Sequence, residues 1–377
     1  MKKFDVVVSG YTCVDMFPDF KSSQSQTSLS DLLVPGKLTE INGINFVLGG
    51  VVPNTGLAIK KFNKKVFLNG LVGDDVIGKI AIEWFDKFNL AEGVRTTDKA
   101  GTAFSIVIAP PGTDRIFLES PGCNQIFDSG FISFEAIAES RLFHFGYPPL
   151  LKQFFQNNGD QLVELFSKVQ KMGVVTSLDF SLPDPESESG RVNWPEVMEK
   201  ILPCTDIFAP SLEEALQIIN PGKYTEILSS ATRASVVDEL ILNAIRETGR
   251  KFIKSGVKIL LIKAGHLGAY LLTSDVSSLN DKADMKLDTK NWNHREIWCN
   301  AYKADPAKIK NTSGAGDTAV AAFLSAILQG EDPDSSVRYA AMAGRNNLYC
   351  KNVYDDLSDW EEMTEEIKAE ENELKYF

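Results

Sequence analysis

The sequence predicts an α/β domain in which helices cover both faces of a mostly parallel sheet, with a small β-sheet lid set into it. Three observations carry that reading. Short β-branched or apolar runs alternate with longer amphipathic stretches through most of the chain. The short runs are apolar on both faces, as strands of a covered parallel sheet must be. Two segments, at about residues 16–48 and 100–120, break the alternation, and no Pro/Gly-rich linker divides the rest.

In chain order, residues 4–9 read as a strand, 51–62 as a helix, 65–72 as a strand and 77–88 as a helix. The pattern resumes with a strand at 142–145, a helix over 150–171, strands at 174–179 and 206–209 around a helix at 194–202, and the apolar strand 257–262. Of the two interruptions, the first is Ser/Gln-rich over 21–30 and apolar over 41–48. The second alternates like exposed strands around Pro110-Pro111-Gly112. Together they read as the lid; two ordinary surface loops are the alternative. One domain therefore spans residues 1–350, and 351–377 form an acidic tail with a solvated helix over 359–374.

Composition narrows the function. The chain has 377 residues, 44% of them hydrophobic and 24% charged, which is enough apolar material for a large core and excludes disorder as the main state. No apolar run is long enough to span a membrane. Lys2 and Lys3 precede a run that is too short for a signal peptide and contains Asp5, so a cytoplasmic protein is expected. The net charge is −12, yet residues 355–377 hold ten acids against two bases, so most of the excess sits in the tail. Binding to nucleic acid or to an anionic membrane is not expected, and any phosphate must be held by local geometry. Cys13, Cys123, Cys204, Cys299 and Cys350 show no C-x-x-C pair, which argues against a disulfide framework or a zinc site.

Three glycine-rich sites compete to cradle a phosphate. Residues 73–80 satisfy G-x-x-x-x-G-K, but Ile80 stands where Ser or Thr should face magnesium, and Asp74 and Asp75 would face phosphate oxygens. Residues 314–319 fit G-x-G-x-x-A, too late in the chain for a dinucleotide fingerprint. They suit an anion hole better: Gly314 and Gly316 allow a tight turn, and the apolar helix over 318–328 would aim free N–H groups at a phosphoryl group. Asp317, in the first helical turn, could then accept a proton from an attacking hydroxyl, or it could simply cap the helix. The third site is Gly49-Gly50-Val51-Val52-Pro53-Asn54, where paired glycines permit close approach and Asn54 suits sugar hydroxyls; a Gly-Gly turn with a capping Asn reads equally well. His144, His266 and His294 are dispersed and read as structural.

Taken in order, these sites resemble the ribokinase, or phosphofructokinase-B (pfkB), family of carbohydrate kinases. The N-terminal signature is Gly49-Gly50-x-x-x-Asn54 followed by Gly70-Leu71-Val72-Gly73-Asp74-Asp75-x-x-Gly78, and the C-terminal one is Asn311-Thr312-Ser313-Gly314-Ala315-Gly316-Asp317-Thr318. Residues 121–124, 208–215 and 263–268 are similar to intermediate landmarks of the family. The resemblance implies a three-layer α/β/α ribokinase-like fold and ATP-dependent phosphorylation of a sugar hydroxymethyl group. It implies Asp317 as base, with the Gly314, Ala315 and Gly316 backbone stabilising the migrating phosphoryl group. Asp15, Gly49, Gly50 and Asn54 would hold the sugar, with Asp15 at the end of the first strand. Glu214 would act in the outer shell of magnesium, with no direct protein ligand, and Gly265 and Gly268 would line the nucleotide. A homodimer through lid strands is also implied.

The departures carry expectations too. Asn311 replaces the first Asp of the late signature, which argues against activation by potassium. Ser211 replaces the Asn of N-x-x-E, and Asp179-Phe180-Ser181-Leu182-Pro183 lacks the Arg of D-x-N-x-R. A neutral monosaccharide, a ketohexose or pentose, is therefore favoured over an acidic one, with Arg115 the remaining candidate cation. A nucleoside kinase is the alternative, with Phe17, Phe46 or Phe104 as the base platform. A catalytically weak sugar-binding regulatory protein of the same fold is the third reading.

Overall fold

Runs that are apolar on both faces end up where both faces are covered. Strands β8 (Ser140–Gly146), β1 (Phe4–Gly10) and β4 (Val66–Gly73) lie side by side in the sheet, and all eight residues of β4 are buried. The computed structural model describes residues 2–21, 34–108, 116–219, 221–235 and 237–377. Beside these three lie β9 (Val175–Leu178), β10 (Ile207–Phe208) and β11 (Ile259–Lys263) on one side and β5 (Val94–Thr97) on the other, all parallel. Beyond β11 the sheet turns antiparallel through β12 (Gly268–Thr273), β13 (Glu296–Asn300) and β14 (Leu374–Tyr376). Among the described residues it has ten strands, in the order β14-β13-β12-β11-β10-β9-β8-β1-β4-β5.

Two helical layers cover it. One contains α1 (Val51–Lys61), α7 (Ala315–Gln329) and α8 (Pro333–Asn347), packed on one another and on β1, β4, β12 and β13. The other contains α3 (Asp160–Lys171), α4 (Trp194–Ile201), α5 (Leu212–Ile219) and α6 (Glu239–Lys254), against β9 and β11. Helix α2 (Val76–Lys87) lies against β4. Residues 320–328 of α7 are all buried, which explains its lack of a polar face.

The lid is a separate four-stranded sheet, β3-β2-β6-β7, of β2 (Cys13–Asp19), β3 (Gly43–Gly49), β6 (Phe104–Ile108) and β7 (Ile116–Ser120). It begins three residues earlier than expected, because β1 ends at Gly10 and the chain moves into the lid at Cys13. Asp15 therefore stands in the second strand and in the lid, not at the end of the first strand. Arg115 and the turn Pro110-Pro111-Gly112 lie outside the described residues.

Two further expectations are corrected. The helix foreseen over 150–171 is broken, because Asn157, Asn158 and Gly159 adopt φ of 53°, 53° and 74°, and α3 starts at Asp160. Asn and Gly enter the left-handed region most readily. The tail is also not a solvated appendage. Helix α9 (Trp360–Ala369) opens with a capping box between Asp359 and Glu362 and buries Trp360 and Met363; β14 then pairs with β13. One large indole supplies what the acidic composition hid: Trp360 stacks on Tyr339 with ring centroids 4.0 Å apart.

Candidate active site

Strands β1, β8, β9, β10 and β11 run parallel and end on one edge, the edge where open α/β sheets receive ligands. Tyr147, Asp179, Ser211 and Lys263 stand at or just beyond those ends, and the N-terminus of α7 meets them. The helix begins at Ala315, directly after Gly314, whose φ of 78° is left-handed. The turn needs glycine for its conformation; a Cβ there would only touch Asn54 Nδ2, at 3.4 Å. Asn347 locks this turn to α8: it donates to the Ser313 carbonyl at 2.8 Å and accepts from the Thr318 hydroxyl at 3.0 Å. Asn311 accepts from the Ser313 N–H at 2.9 Å, so the loop keeps its local shape without an Asp at that position.

Asp317 does not cap the helix. Gly314 is the N-cap, and the buried Asp317 carboxylate meets tertiary partners instead. Asn54 Nδ2 donates to Oδ2 at 2.9 Å, Tyr147 Oη donates to Oδ1 at 2.8 Å, and Thr55 Oγ1 lies 3.5 Å from Oδ1. Burial, reinforced by Asp179, raises its pKa to about 6, against the pull of Tyr147, Asn54 and Lys263. The first-turn N–H groups of Ala315, Gly316 and Asp317 have no acceptor within the helix, so donors and a proton acceptor share one turn.

A second charged group adjoins the first. Lys263 Nζ lies 2.7 Å from Asp179 Oδ1; the Asp179 side chain is buried and that of Lys263 half-buried. Burial pulls the ammonium down, but Asp179 and Glu214 outweigh it and hold Lys263 above its ordinary pKa, hence charged. Glu214 and Ser211 cap each other: the Ser211 N–H donates to Glu214 at 2.7 Å and the Glu214 N–H to the Ser211 hydroxyl at 3.2 Å. Burial lifts Glu214 to about 7, with Lys263 opposing. Among the described residues, no group of three or more His, Cys, Asp or Glu side chains could hold a metal ion.

At the lid end, the Gly49-Gly50 turn lies against Asp15 and Tyr11. A Cβ on Gly49 would sit 2.4 Å from Asp15 Oδ2, and Gly50, at φ 89°, lies beneath the Tyr11 carbonyl. Burial raises Asp15 to about 6, opposed by hydrogen bonds from Cys13 and Ser105. Tyr11 donates to Glu119 of β7 at 2.5 Å. Asp15, Phe17, Asn54, Asn311, Asn347 and Lys351 line a narrow cleft with about 20 Å³ of free space, room for one water.

The structure thus brings Asp317, Gly314, Ala315, Gly316 and Asn54 into one contact group, with Glu214 beside it and Asp15, Gly49 and Gly50 at the lid. Gly265 opens the β11–β12 turn at φ 54° with free space around it, whereas Gly268 lies under the Cys299 carbonyl and serves sheet packing. The P-loop look-alike is structural: Asp75 caps α2 through the Gly78 N–H and also binds the Thr102 N–H and hydroxyl. His144, buried against Ser177, is pushed down to about 3 by burial and stays neutral. Tyr147, Thr55, Asn347 and the Asp179–Lys263 pair were not foreseen as a group. Lys263 did precede the noted Ala264-Gly265 turn, but nothing near Tyr147 announces its left-handed φ of 63°.

Comparison with known proteins bears on the family and on the fold. The family model for pfkB family carbohydrate kinases matches residues 5–360. The chain is 21% identical over 384 residues to a 5-dehydro-2-deoxygluconokinase of Clostridium beijerinckii, covering 99% of this chain and 95% of that protein. It is 24% identical over 265 residues to an uncharacterized sugar kinase of Archaeoglobus fulgidus, covering 70% and 83%. Arabidopsis thaliana ribokinase, solved with ribose and ATP, superposes with a TM-score of 0.69 at 20% identity, covering 96% of this chain and 98% of that one. At that identity the likeness is one of fold. Among the described residues, no helix is long and apolar enough to cross a membrane.

Proposed function

Because the chain belongs to the pfkB family of carbohydrate kinases, we propose that it transfers the γ-phosphoryl group of ATP to a hydroxymethyl group of a neutral monosaccharide, with Asp317 as the base. The observation that carries this reading is the 2.9 Å hydrogen bond between Asn54 and Asp317, residues 263 positions apart. It joins the glycine turn beside the lid to the turn that can hold a phosphate. The acceptor oxygen bonds to the γ-phosphorus, the bond from that phosphorus to the bridging oxygen breaks, ADP leaves, and the hydroxyl proton passes to Asp317. The N–H groups of the 314–316 turn bind the charge on the migrating group, and Asp15, Asn54 and the Gly49-Gly50 turn orient the sugar. Magnesium arriving on the nucleotide would neutralise phosphate charge, with the buried Glu214 reaching it through water. Lid edge strand β7 exposes Ile116 and Leu118, which supports a homodimer through the lid.

The test is a panel of pentoses, ketohexoses, sugar acids and nucleosides with ATP and magnesium, scored by ADP release with and without potassium. Turnover with a neutral sugar is expected. Lys351 at the cleft gives a specific reason to include 5-dehydro-2-deoxygluconate, because an acid would find a cation there. Turnover confined to acids or nucleosides, or none at all, overturns the neutral-sugar reading.

The base must be unprotonated to work, and its pKa is raised to about 6. Activity should therefore be lost as pH falls through 6 and be full above pH 7. Tyr147→Phe removes a donor that holds Asp317 down, so the acid limb of kcat/KM should move to higher pH while the KM for sugar changes little. A limb that stays in place would show that Tyr147 does not tune the base.

A further inference from the structure

We infer that Lys263 is the side-chain cation that grips the transferring phosphoryl group, an assignment that rests on the kinase reading above. Lys263 ends β11 at the ligand edge of the sheet and runs beside the turn that opens α7. A methyl built on Gly316 would lie 3.6 Å from its Nζ and 3.7 Å from its Cε. The ammonium has three N–H donors. One goes to Asp179 Oδ1 at 2.7 Å, and no other hydrogen bond of Nζ is formed among the described residues. Two donors are left beside the backbone N–H groups of the turn, where two oxygens of a phosphoryl group can take them.

The charges around Lys263 point the same way. Asp179, Glu214 and Asp317 all act on it electrostatically, so three carboxyl groups crowd the place where a triphosphate must arrive. An anion cannot enter that company without a fixed positive partner, and Lys263 is the ammonium already there. Asp179 holds it, with its own Oδ1 also taking the Phe180 N–H at 2.8 Å, and so acts as a positioning residue. A purely structural ion pair explains less. Ion pairs taken out of water stabilise folds poorly, and nothing in that role calls for an ammonium beside the Gly316 backbone or for two idle donors.

Three variants decide the matter: Lys263→Met, Lys263→Arg, and the double variant Asp179→Asn with Lys263→Met, which restores neutrality so that the fold survives. Lys263→Met should lower kcat about 10²–10³-fold and weaken ATP binding, read by calorimetry, while AMP binds as to wild type. The double variant should unfold at the wild-type urea midpoint yet remain as slow, and Lys263→Arg should recover part of the rate. Recovery of wild-type kcat in the double variant would reduce Lys263 to a structural partner and overturn the assignment. Equal weakening of ATP and AMP overturns it as well. Failure of wild type to bind ATP is distinguishable from both, since it removes the kinase reading and this assignment with it.

Discussion

Asp317→Asn is expected to cut turnover by about 10²–10⁴-fold, the usual contribution of a positioned general base, while sugar and ATP still bind. The substitution keeps the side-chain shape and removes the charge that draws the proton. Its effect on folding should be small, because the Tyr147 hydroxyl, which now donates to Asp317, can turn and accept from the new amide. Asn54 can still donate to the remaining carbonyl oxygen. Calorimetric titration with sugar and with ATP separates binding from chemistry, and ADP release measures the rate. A variant with undiminished kcat would leave the late turn as a binding element only and return the search for a base to Asp15 or Glu214.

Trp360→Ala should destabilise the protein by about 3–5 kcal/mol, the range for truncating a large buried aromatic. The indole stacks on Tyr339 of α8 and meets Phe62 edge-on at 5.8 Å, just past the end of α1, with the Lys64 ammonium 5.5 Å from its ring. It ties the acidic tail to the two helices that carry Asn347 and Asn54. The urea midpoint should therefore drop well below that of wild type, while kcat at low temperature, where the variant stays folded, changes little. Trp360→Phe should recover much of the loss. An unchanged midpoint in Trp360→Ala would mean that the tail contributes no packing, as its composition alone implies.

Much of the fold was legible because it is written in local pattern. Strands apolar on both faces can only be covered strands, and residues 66–73 and 140–146 are such strands. The helix break at 157–159 was legible in principle, since Asn-Asn-Gly is the composition that leaves the helical region, but the flanking apolar periodicity concealed it. The tail was misread for a different reason. Charge counts average over a segment, whereas a single tryptophan decides where the segment docks.

Local pattern was enough for the sheet-and-helix alternation, the lid insertions, the two glycine turns and the candidate acid at 317, because each depends on residues close together in the chain. What surrounds that acid emerges only once distant segments fold together. Asn54, Tyr147, Asp179, Glu214 and Lys263 come from five separate elements and meet because parallel strands end on one edge. Whether Asp317 caps its helix or meets Asn54 and Tyr147, and whether Lys263 is one more strand residue or a cation beside the 314–316 turn, depends on burial and on distances of about three ångströms. Spacing along a chain carries no such distances.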